Sequence, residues 1–289
     1  MPAISAQIAH EPSPSHIKKI TTAGLKRVNL IDATPIGANI RSTVATYSNV
    51  LDDLRKIFAN TAQAKSLTLK AADFSYNTGS LRCPECDGTG QITMDVQFLP
   101  DVVIPCPKCQ GLRYDKKALK IKSPLHDGLE MDLARLLAQT ISEVLGLIPQ
   151  KTTALMKKVR EKLLILDQLG LGYLTLNEGT PLLSGGEAQR LKLAYEMGKT
   201  QDDALYIFDE PTIGLHPLDV KRLIQVFDQL IKAKATVIVI EHDLDVLANC
   251  DYCIDMGPFG GEEGGLIVYH GCPKYMKDCP DSITGKYLQ

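Results

Sequence analysis

Two adjacent carboxylates, Asp209 and Glu210, follow the apolar run at residues 204–208. A short apolar run of this kind is typical of a strand buried on both faces of a parallel sheet, and it would present both carboxylates at its carboxyl end. In that setting the first carboxylate can hold Mg²⁺ through water, and the second can polarise an attacking water. We therefore predict a magnesium carboxylate at Asp209 and a catalytic base at Glu210.

His242 and Ser184 are the next candidates for phosphate chemistry. His242 comes just after a β-branched run at residues 236–240, where it could contact a γ-phosphate; a histidine without such a context is more often structural. Ser184 is a favourable N-cap for the helical pattern at residues 187–197, and a helix N-terminus binds phosphate. The glycine pair directly after Ser184 would let the backbone approach a nucleotide, because neither residue carries a Cβ.

A phosphate-binding loop of the form G-x-x-x-x-G-K-[ST] should accompany these elements. No stretch of the 289 residues matches it, since Gly24-Leu25-Lys26 lacks both the second glycine and the hydroxyl residue. Without that loop the chain has no backbone nest for the β-phosphate and no hydroxyl ligand for Mg²⁺. We predict that the isolated chain binds ATP poorly and does not hydrolyse it.

Four cysteines form two C-x2-C pairs with the spacing of a zinc site. Each pair directs two thiolates to one centre, and two pairs complete a tetrahedral Cys₄ site. Glycines follow both pairs, and short strands are predicted between them at residues 92–98 and 102–104. A redox or disulfide pair is the weaker alternative. The predicted structural Zn²⁺ ligands are Cys83, Cys86, Cys106 and Cys109.

The other four cysteines receive a different interpretation. Cys250 and Cys253 also have x2 spacing, but Cys253 lies in the strand-like run 252–256, so we expect a small buried apolar residue there. A second metal site is the less favoured alternative. No role is predicted for Cys272 and Cys279.

Length and composition describe a globular chain with enough apolar residues for a sizeable core. It has 289 residues, 44% of them hydrophobic and 23% charged, and its net charge is −2. That charge balance does not by itself indicate nucleic-acid binding, so any DNA contact must come from a local basic surface. No secretory signal or long apolar run is visible, and a cytoplasmic location without membrane contact is the default expectation.

The order of the patterns predicts an α/β fold. Apolar periodicity predicts helices at residues 47–59, 129–145 and 217–232. From residue 181 onward, strand and helix alternate, which favours a mainly parallel sheet with flanking helices. We divide the chain into a loose leader (1–15), a sheet-entry segment with the first helix (16–60), a helical insertion region (61–180) that contains the zinc module (81–114), and a final segment (181–289) with both carboxylates and His242.

Together, these features resemble UvrA, the damage-recognition ATP-binding-cassette (ABC) ATPase of bacterial nucleotide excision repair, and specifically its C-terminal half. The resemblance covers residues 28–271 and is most specific at residues 98–102, 183–194, 209–217, 241–246 and 254–258 and at the two cysteine pairs. General ABC transporters share the signature and the Asp–Glu pair but lack a Cys₄ insertion. The implied fold is an ABC-ATPase parallel sheet without its phosphate-loop (Walker A) segment, with a helical signature subdomain and a Cys₄ zinc-ribbon insertion.

The resemblance implies roles for particular residues and partners. Asp209 and Glu210 would be the Walker B pair, and His242 the switch histidine. The ABC signature, which closes on ATP held by another ATPase half, would comprise Ser184, Gly185, Gly186, Glu187 and Gln189. The implied partners are DNA, a second ABC half or UvrA-like dimer partner, and a UvrB-like repair helicase.

Two departures from the family pattern open alternatives. The family's N-terminal ATPase half and the phosphate loop of the C-terminal half have no counterpart in this sequence, so a fragment or one piece of a two-piece protein is expected. Ala33 stands where repair-type members carry a glutamine. With alanine at this position, the chain resembles a UvrA-like paralogue branch, some of whose members are associated with resistance to DNA-binding drugs. A degenerate, zinc-stabilised binding module without ATPase activity is the third possibility.

Overall fold

The computed structural model describes residues 2–37, 39–94, 102–124, 129–199, 202–257 and 264–288. The chain divides into two compact units. The sheet unit comprises Met1–Asp32 and Gln201–Gln289, and the helical unit comprises Ala33–Thr200. Most of the segment at 98–102 and the final residue of that at 254–258 lie outside the described residues.

The strands in chain order are β1 (Arg27–Ile31), β2 (Gln91–Met94), β3 (Val102–Pro105), β4 (Lys122–Pro124), β5 (Glu130–Asp132), β6 (Ala204–Asp209), β7 (Thr236–Ile240), β8 (Cys253–Gly257) and β9 (Leu266–Gly271). The α-helices are α1 (Pro2–Ile8), α2 (Val44–Tyr47), α3 (Val50–Ala59), α4 (Ala62–Ser66), α5 (Leu133–Ala138), α6 (Ile141–Leu147), α7 (Ala154–Leu166), α8 (Gly185–Met197), α9 (Pro217–Lys232) and α10 (Leu244–Ala248).

The core of the sheet unit is a parallel sheet in the order β1-β6-β7. The central strand β6 is buried along Ala204–Phe208 and becomes exposed at Asp209. Helix α9 covers it with one apolar face, and the rings of Phe208 and Phe227 lie 4.8 Å apart. The α/β fold with a parallel sheet, predicted from the sequence, is therefore confirmed.

Strand β7 is less buried than its composition suggests. Its residues alternate between exposed and half-buried, and Ile238 and Ile240 are 46% and 54% exposed. An all-β-branched strand of a parallel sheet is normally covered on both faces. In the described part of the chain, β7 pairs only with β6 and forms an edge of the sheet.

The remaining strands of the sheet unit form the antiparallel hairpin β8–β9, in which Cys253 pairs with Gly271. A 3-10 turn at Pro273–Asp278 follows it. Two hydroxyl groups beyond the turn donate to the carboxylate of Asp255, from Ser282 at 2.7 Å and from Thr284 at 3.1 Å. These bonds fasten the end of the chain to the hairpin.

The helical unit is built on α3 and α7, which pack against each other. Helix α3 buries Leu54 and Phe58, and the Phe58 ring lies 6.1 Å from that of Phe74. The Lys162 ammonium on α7 bonds the Asp53 carboxylate on α3 at 2.7 Å. Within the described residues, no helix is both long and apolar enough to cross a bilayer.

Three local expectations need correction. The leader expected to be loose contains helix α1, in which Ala6 is buried. The helical pattern at residues 47–59 is interrupted, because Asn49 takes a left-handed conformation (φ 57°) between α2 and α3. The pattern at residues 129–145 is also divided, since Thr140 forms a capping box that starts a new helix, α6. In the second and third cases, a left-handed residue and a capping box prevail over apolar periodicity.

Candidate functional site

The carboxyl ends of β6 and β7 bring the predicted catalytic residues of the sheet unit together. Asp209 on β6 is in register with Ile240 on β7, and both Asp209 and Glu210 are exposed. The Glu210 backbone N–H donates to the Ile240 carbonyl at 2.9 Å. Glu210 also has a left-handed conformation with φ 45°, which is uncommon for a residue with a Cβ. Such strain costs about 1–3 kcal/mol and is often found at functional sites.

His242 completes this group from the end of β7. Its Nδ1 lies 3.8 Å from Oε1 of Glu210 and 3.6 Å from Oε1 of Glu241, and its side chain is 76% exposed. These separations exceed hydrogen-bond length, so the imidazole remains available to a ligand. The structure thus brings Glu210 and His242 together at the carboxyl ends of the parallel strands, as expected from their positions after strands.

Glu241 has a role that the sequence did not reveal. Its side chain is fully buried, and its carboxylate accepts three backbone N–H bonds, from Thr212 at 3.2 Å, His242 at 3.0 Å and Asp243 at 3.3 Å. It therefore joins the turn after β6 to the turn after β7. Its position next to His242 was the only signal in the sequence, and that signal does not distinguish a ligand from a structural carboxylate.

In the helical unit, Ser184 caps α8 as predicted. Its hydroxyl accepts the Glu187 N–H at 3.3 Å, and its own N–H donates to the Glu187 carboxylate at 2.7 Å. The Tyr173 hydroxyl donates to the same carboxylate. Burial acts to raise the pKa of Glu187. The hydrogen bonds from Tyr173 and Ser184 outweigh burial and hold this pKa below its usual value. Glu187 is thus engaged in holding the start of the helix.

The other predicted signature residues differ in exposure. Gly185 is exposed and Gly186 is half-buried, whereas Gln189 is only 2% exposed. A Cβ placed on Gly185 would lie 3.1 Å from both Cβ and the carbonyl oxygen of Ala33. The glycine therefore permits a close approach to the backbone at Ala33.

The four predicted zinc ligands form one buried cluster within the helical unit. Their sulfur atoms all lie within 4.8 Å of one another. Across the two C-x2-C pairs, Cys83 lies 4.0 Å from Cys106, and Cys86 lies 3.7 Å from Cys109. Four convergent thiols at this spacing suit a tetrahedral ion that prefers sulfur, and zinc fits that donor set.

Local backbone geometry creates this cluster. The hairpin β2–β3 lies between the two pairs, and the Gly90 N–H donates to the Cys86 sulfur at 3.3 Å. Gly88 has φ 80°, and a Cβ there would lie 1.7 Å from the Tyr76 carbonyl oxygen. Only glycine fits at that position, for reasons of both conformation and space.

The thiols of the cluster differ in proton affinity. Burial raises the pKa of Cys83, and burial together with the thiols of Cys86 and Cys106 raises the pKa of Cys109 to about 12. Burial acts to raise the pKa of Cys106 as well, but hydrogen bonds from the backbone N–H groups of Cys109 and Lys108 prevail and lower it. A cation in the cluster would relieve the repulsion that crowded thiolates create.

Comparisons with known proteins show what this chain is similar to. No family model matches the chain. The UvrABC system protein A of Lactococcus lactis subsp. lactis is 43% identical over 281 residues, which cover 96% of this chain and 28% of that protein. That of Aquifex aeolicus is also 43% identical, over 266 residues that cover 92% of this chain and 28% of the relative.

A solved structure gives the same assignment. The crystal structure of UvrA2 from Deinococcus radiodurans is similar to this chain, with a TM-score of 0.79 and 38% sequence identity. The match covers 92% of this chain and 32% of the UvrA2 chain. The chain thus spans little more than a quarter of the length of the curated relatives that it matches.

Proposed function

The chain belongs to the UvrA family and corresponds to part of its C-terminal half, and on that premise we propose that it acts within an ABC ATPase that recognises damaged DNA in nucleotide excision repair. The observation that carries the proposal is that Glu210 and His242 lie close together, next to Asp209, at the carboxyl ends of β6 and β7. Relatives named UvrABC system protein A match nearly the whole chain. Damage recognition by those relatives is extended to this chain as a proposal.

ATP and Mg²⁺ are the proposed cofactors, with each residue in the role that its position supports. Asp209 would hold Mg²⁺ through water, and the metal would neutralise phosphate charge. Glu210 would accept a proton from the attacking water, and His242 would contact the γ-phosphate. The signature residues would contact a nucleotide carried by another ATPase half; they are Ser184, Gly185, Gly186, Glu187 and Gln189.

Two observations support a second ATPase half as the partner. The G-x-x-x-x-G-K-[ST] motif does not occur in these 289 residues, so another polypeptide segment must supply the phosphate loop. The apolar side chains of Ile238 and Ile240 are half exposed on β7, which is an edge strand in the described part of the chain. A further strand beside β7 would pair with its free backbone groups, and a helix connected to that strand would cover these side chains.

Zinc is the proposed structural ion of the cysteine cluster. Its four thiols, at Cys83, Cys86, Cys106 and Cys109, match the donor number and type of a closed structural site. The surrounding hairpin has little apolar core of its own apart from Ile92. Binding of the metal would therefore contribute directly to the folding of this module.

The remaining partners and the organisation of the chain are also proposals. DNA and a UvrB-like repair helicase would bind to the assembled protein in the cytoplasm. The four segments proposed above would divide these tasks: leader (1–15), sheet entry (16–60), insertion with the zinc module (61–180 with 81–114) and ATPase segment (181–289).

One observation favours a second candidate, a UvrA-like paralogue that protects against DNA-binding drugs. Ala33 replaces the glutamine of repair-type members and packs closely against Gly185. The two candidates differ in the damage that they would counter. A deletion strain that becomes sensitive to intercalating drugs but survives ultraviolet light normally would support the paralogue. The opposite phenotype would support repair.

A chain that only binds partners through its zinc module would be unaffected by loss of Glu210.

Supplying the missing segment tests the proposed function. The chain would be combined with a polypeptide that carries the preceding phosphate-loop segment of the Lactococcus lactis relative. We expect ATP hydrolysis and preferential binding to duplex DNA with a bulky lesion, and neither from the chain alone. Tight Mg–ATP binding and turnover by the purified chain alone would overturn the split arrangement. Equal binding to intact and damaged duplex would count against damage recognition.

A further inference from the structure

The four cysteines outside the zinc cluster gather around the hairpin β8–β9 of the sheet unit. In the C-x2-C pair, Cys250 precedes the hairpin and Cys253 is its first residue, whereas Cys272 and Cys279 come after it. Because Cys253 is in register with Gly271, Cys272 follows directly after the residue opposite Cys253. This order, two thiols, a hairpin and two more thiols, is also that of the first cluster, in which β2–β3 separates the pairs.

The first pair already has the spacing of a chelate. The sulfur atoms of Cys250 and Cys253 lie 3.5 Å apart. In the first cluster, sulfurs of different C-x2-C pairs lie 3.7 Å and 4.0 Å apart, and all four sulfurs lie within 4.8 Å of one another. Cys253 is only 5% exposed, as a buried apolar residue would be, yet its sulfur faces another thiol rather than hydrocarbon alone.

The second pair lies close to the first. The Cys279 sulfur donates to the Val268 carbonyl on β9 at 3.6 Å, and Cys272 is exposed. The backbone of Cys272 lies beside the first pair, because the preceding residue, Gly271, pairs with Cys253 across the hairpin.

A tyrosine on β9, Tyr269, holds the segment that carries Cys272. Its hydroxyl donates to the Cys272 carbonyl at 2.6 Å. Both later cysteines are therefore tied to β9, the strand that pairs with the strand beginning at Cys253.

We propose that Cys250, Cys253 and Cys272 bind a second sulfur-preferring divalent metal ion of the zinc type, with Cys279 as the fourth ligand. Among the described residues, only the first cluster has all its sulfurs within 4.8 Å. The second site closes when the ion is bound: the exposed Cys272 side chain rotates toward the pair, and Cys279 exchanges its weak bond to Val268 for a metal bond. Metal binding and ordering of such sites are commonly coupled.

The site would connect three segments of the sheet unit. Cys250 follows α10, Cys253 begins β8, and the other two ligands flank the 3-10 turn at Pro273–Asp278. Helix α10 begins immediately after His242 and its N-cap Asp243. The ion would thus hold the segment that leads away from the proposed switch histidine.

Metal content per chain tests the proposal. The full chain, prepared without chelator, would be analysed by native mass spectrometry and elemental analysis. We expect two zinc ions in the wild type and one in each of Cys250→Ser, Cys272→Ser and Cys83→Ser. Cys83→Ser is the matched control because it removes a ligand of the other cluster. Cobalt substitution should give a thiolate charge-transfer band for two ions in the wild type and for one in Cys250→Ser.

Two results would overturn the second site. One is a wild-type chain that holds a single zinc ion lost in Cys83→Ser and retained in Cys250→Ser. The other is a chain without a second ion whose mass is two hydrogens lower and whose peptide map places a disulfide between Cys250 and Cys253. Cys272→Ser changes an exposed residue, so its metal content can be interpreted even if Cys253→Ser fails to fold.

Discussion

Nδ1 of His242 lies 3.8 Å from Oε1 of Glu210 at the carboxyl ends of two parallel strands. Two structural features hold these residues in place. Glu210 has a left-handed backbone and donates its N–H to Ile240, while the buried Glu241 accepts the N–H of His242. The pair is therefore fixed through its backbones, and its exposed side chains remain available for chemistry.

Glu210→Gln should abolish ATP hydrolysis in the complex that contains the missing half. The amide cannot accept a proton from water, and loss of a general base lowers turnover by about 10²–10⁴-fold. ATP binding should persist, because the change removes no ligand of the phosphates. Single-turnover hydrolysis and nucleotide binding measure the two effects. Asp228→Asn, an equivalent carboxylate change on the exposed face of α9, is the control, and equal losses in both variants would contradict the role of Glu210.

Glu241→Ala should loosen the turns after β6 and β7. The change leaves three backbone N–H groups without their acceptor, and each such group costs about 1–3 kcal/mol when it remains buried. Hydrogen exchange should accelerate at the Thr212 and Asp243 amides, while the amides of α9 change little. Asp251→Asn, at an exposed position of the same unit, should have no effect. Unchanged protection at Thr212 would show that Glu241 does not join the turns.

Zinc affinity at the first cluster should fall as the pH is lowered. The raised pKa values of Cys83 and Cys109 mean that the metal-free cluster retains protons, which zinc must displace. Apparent affinity therefore drops by about tenfold per pH unit for each proton released. Competition with a chromophoric chelator between neutral and mildly acidic pH measures the slope. A pH-independent affinity would exclude thiol ligation, and Cys83→Ser should remove this binding entirely.

Acid should destabilise the start of α8 through Glu187. Its folded-state pKa is lowered, so its contribution to stability is complete above the ordinary value of 4.5 and is lost as the pH falls through the lowered value. Glu187→Gln should flatten the pH dependence of stability in this range and leave the value near pH 7 lower than that of the wild type. Thermal unfolding from pH 7 to pH 3 measures this. Parallel curves for the two proteins would refute the assignment.

Much of the fold could be predicted because its signals are local. The apolar run at 204–208 and the helical pattern at 217–232 correspond to β6 and α9, since burial and amphipathic periodicity are present in the sequence itself. The break at Asn49 could not be predicted in this way. A left-handed residue between two short helices leaves the apolar spacing nearly unchanged.

The sequence by itself determined which groups could do chemistry: the Asp209–Glu210 pair, His242, the Ser184 cap and the paired cysteines. It could do so because residue type and short spacing fix donor atoms and their local directions. The tertiary structure decided what surrounds them. Burial of Glu241, the bond between Glu210 and Ile240, and the pairing that brings Cys272 beside Cys253 depend on contacts between distant segments. Such contacts form only when the strands pair, so no local pattern encodes them.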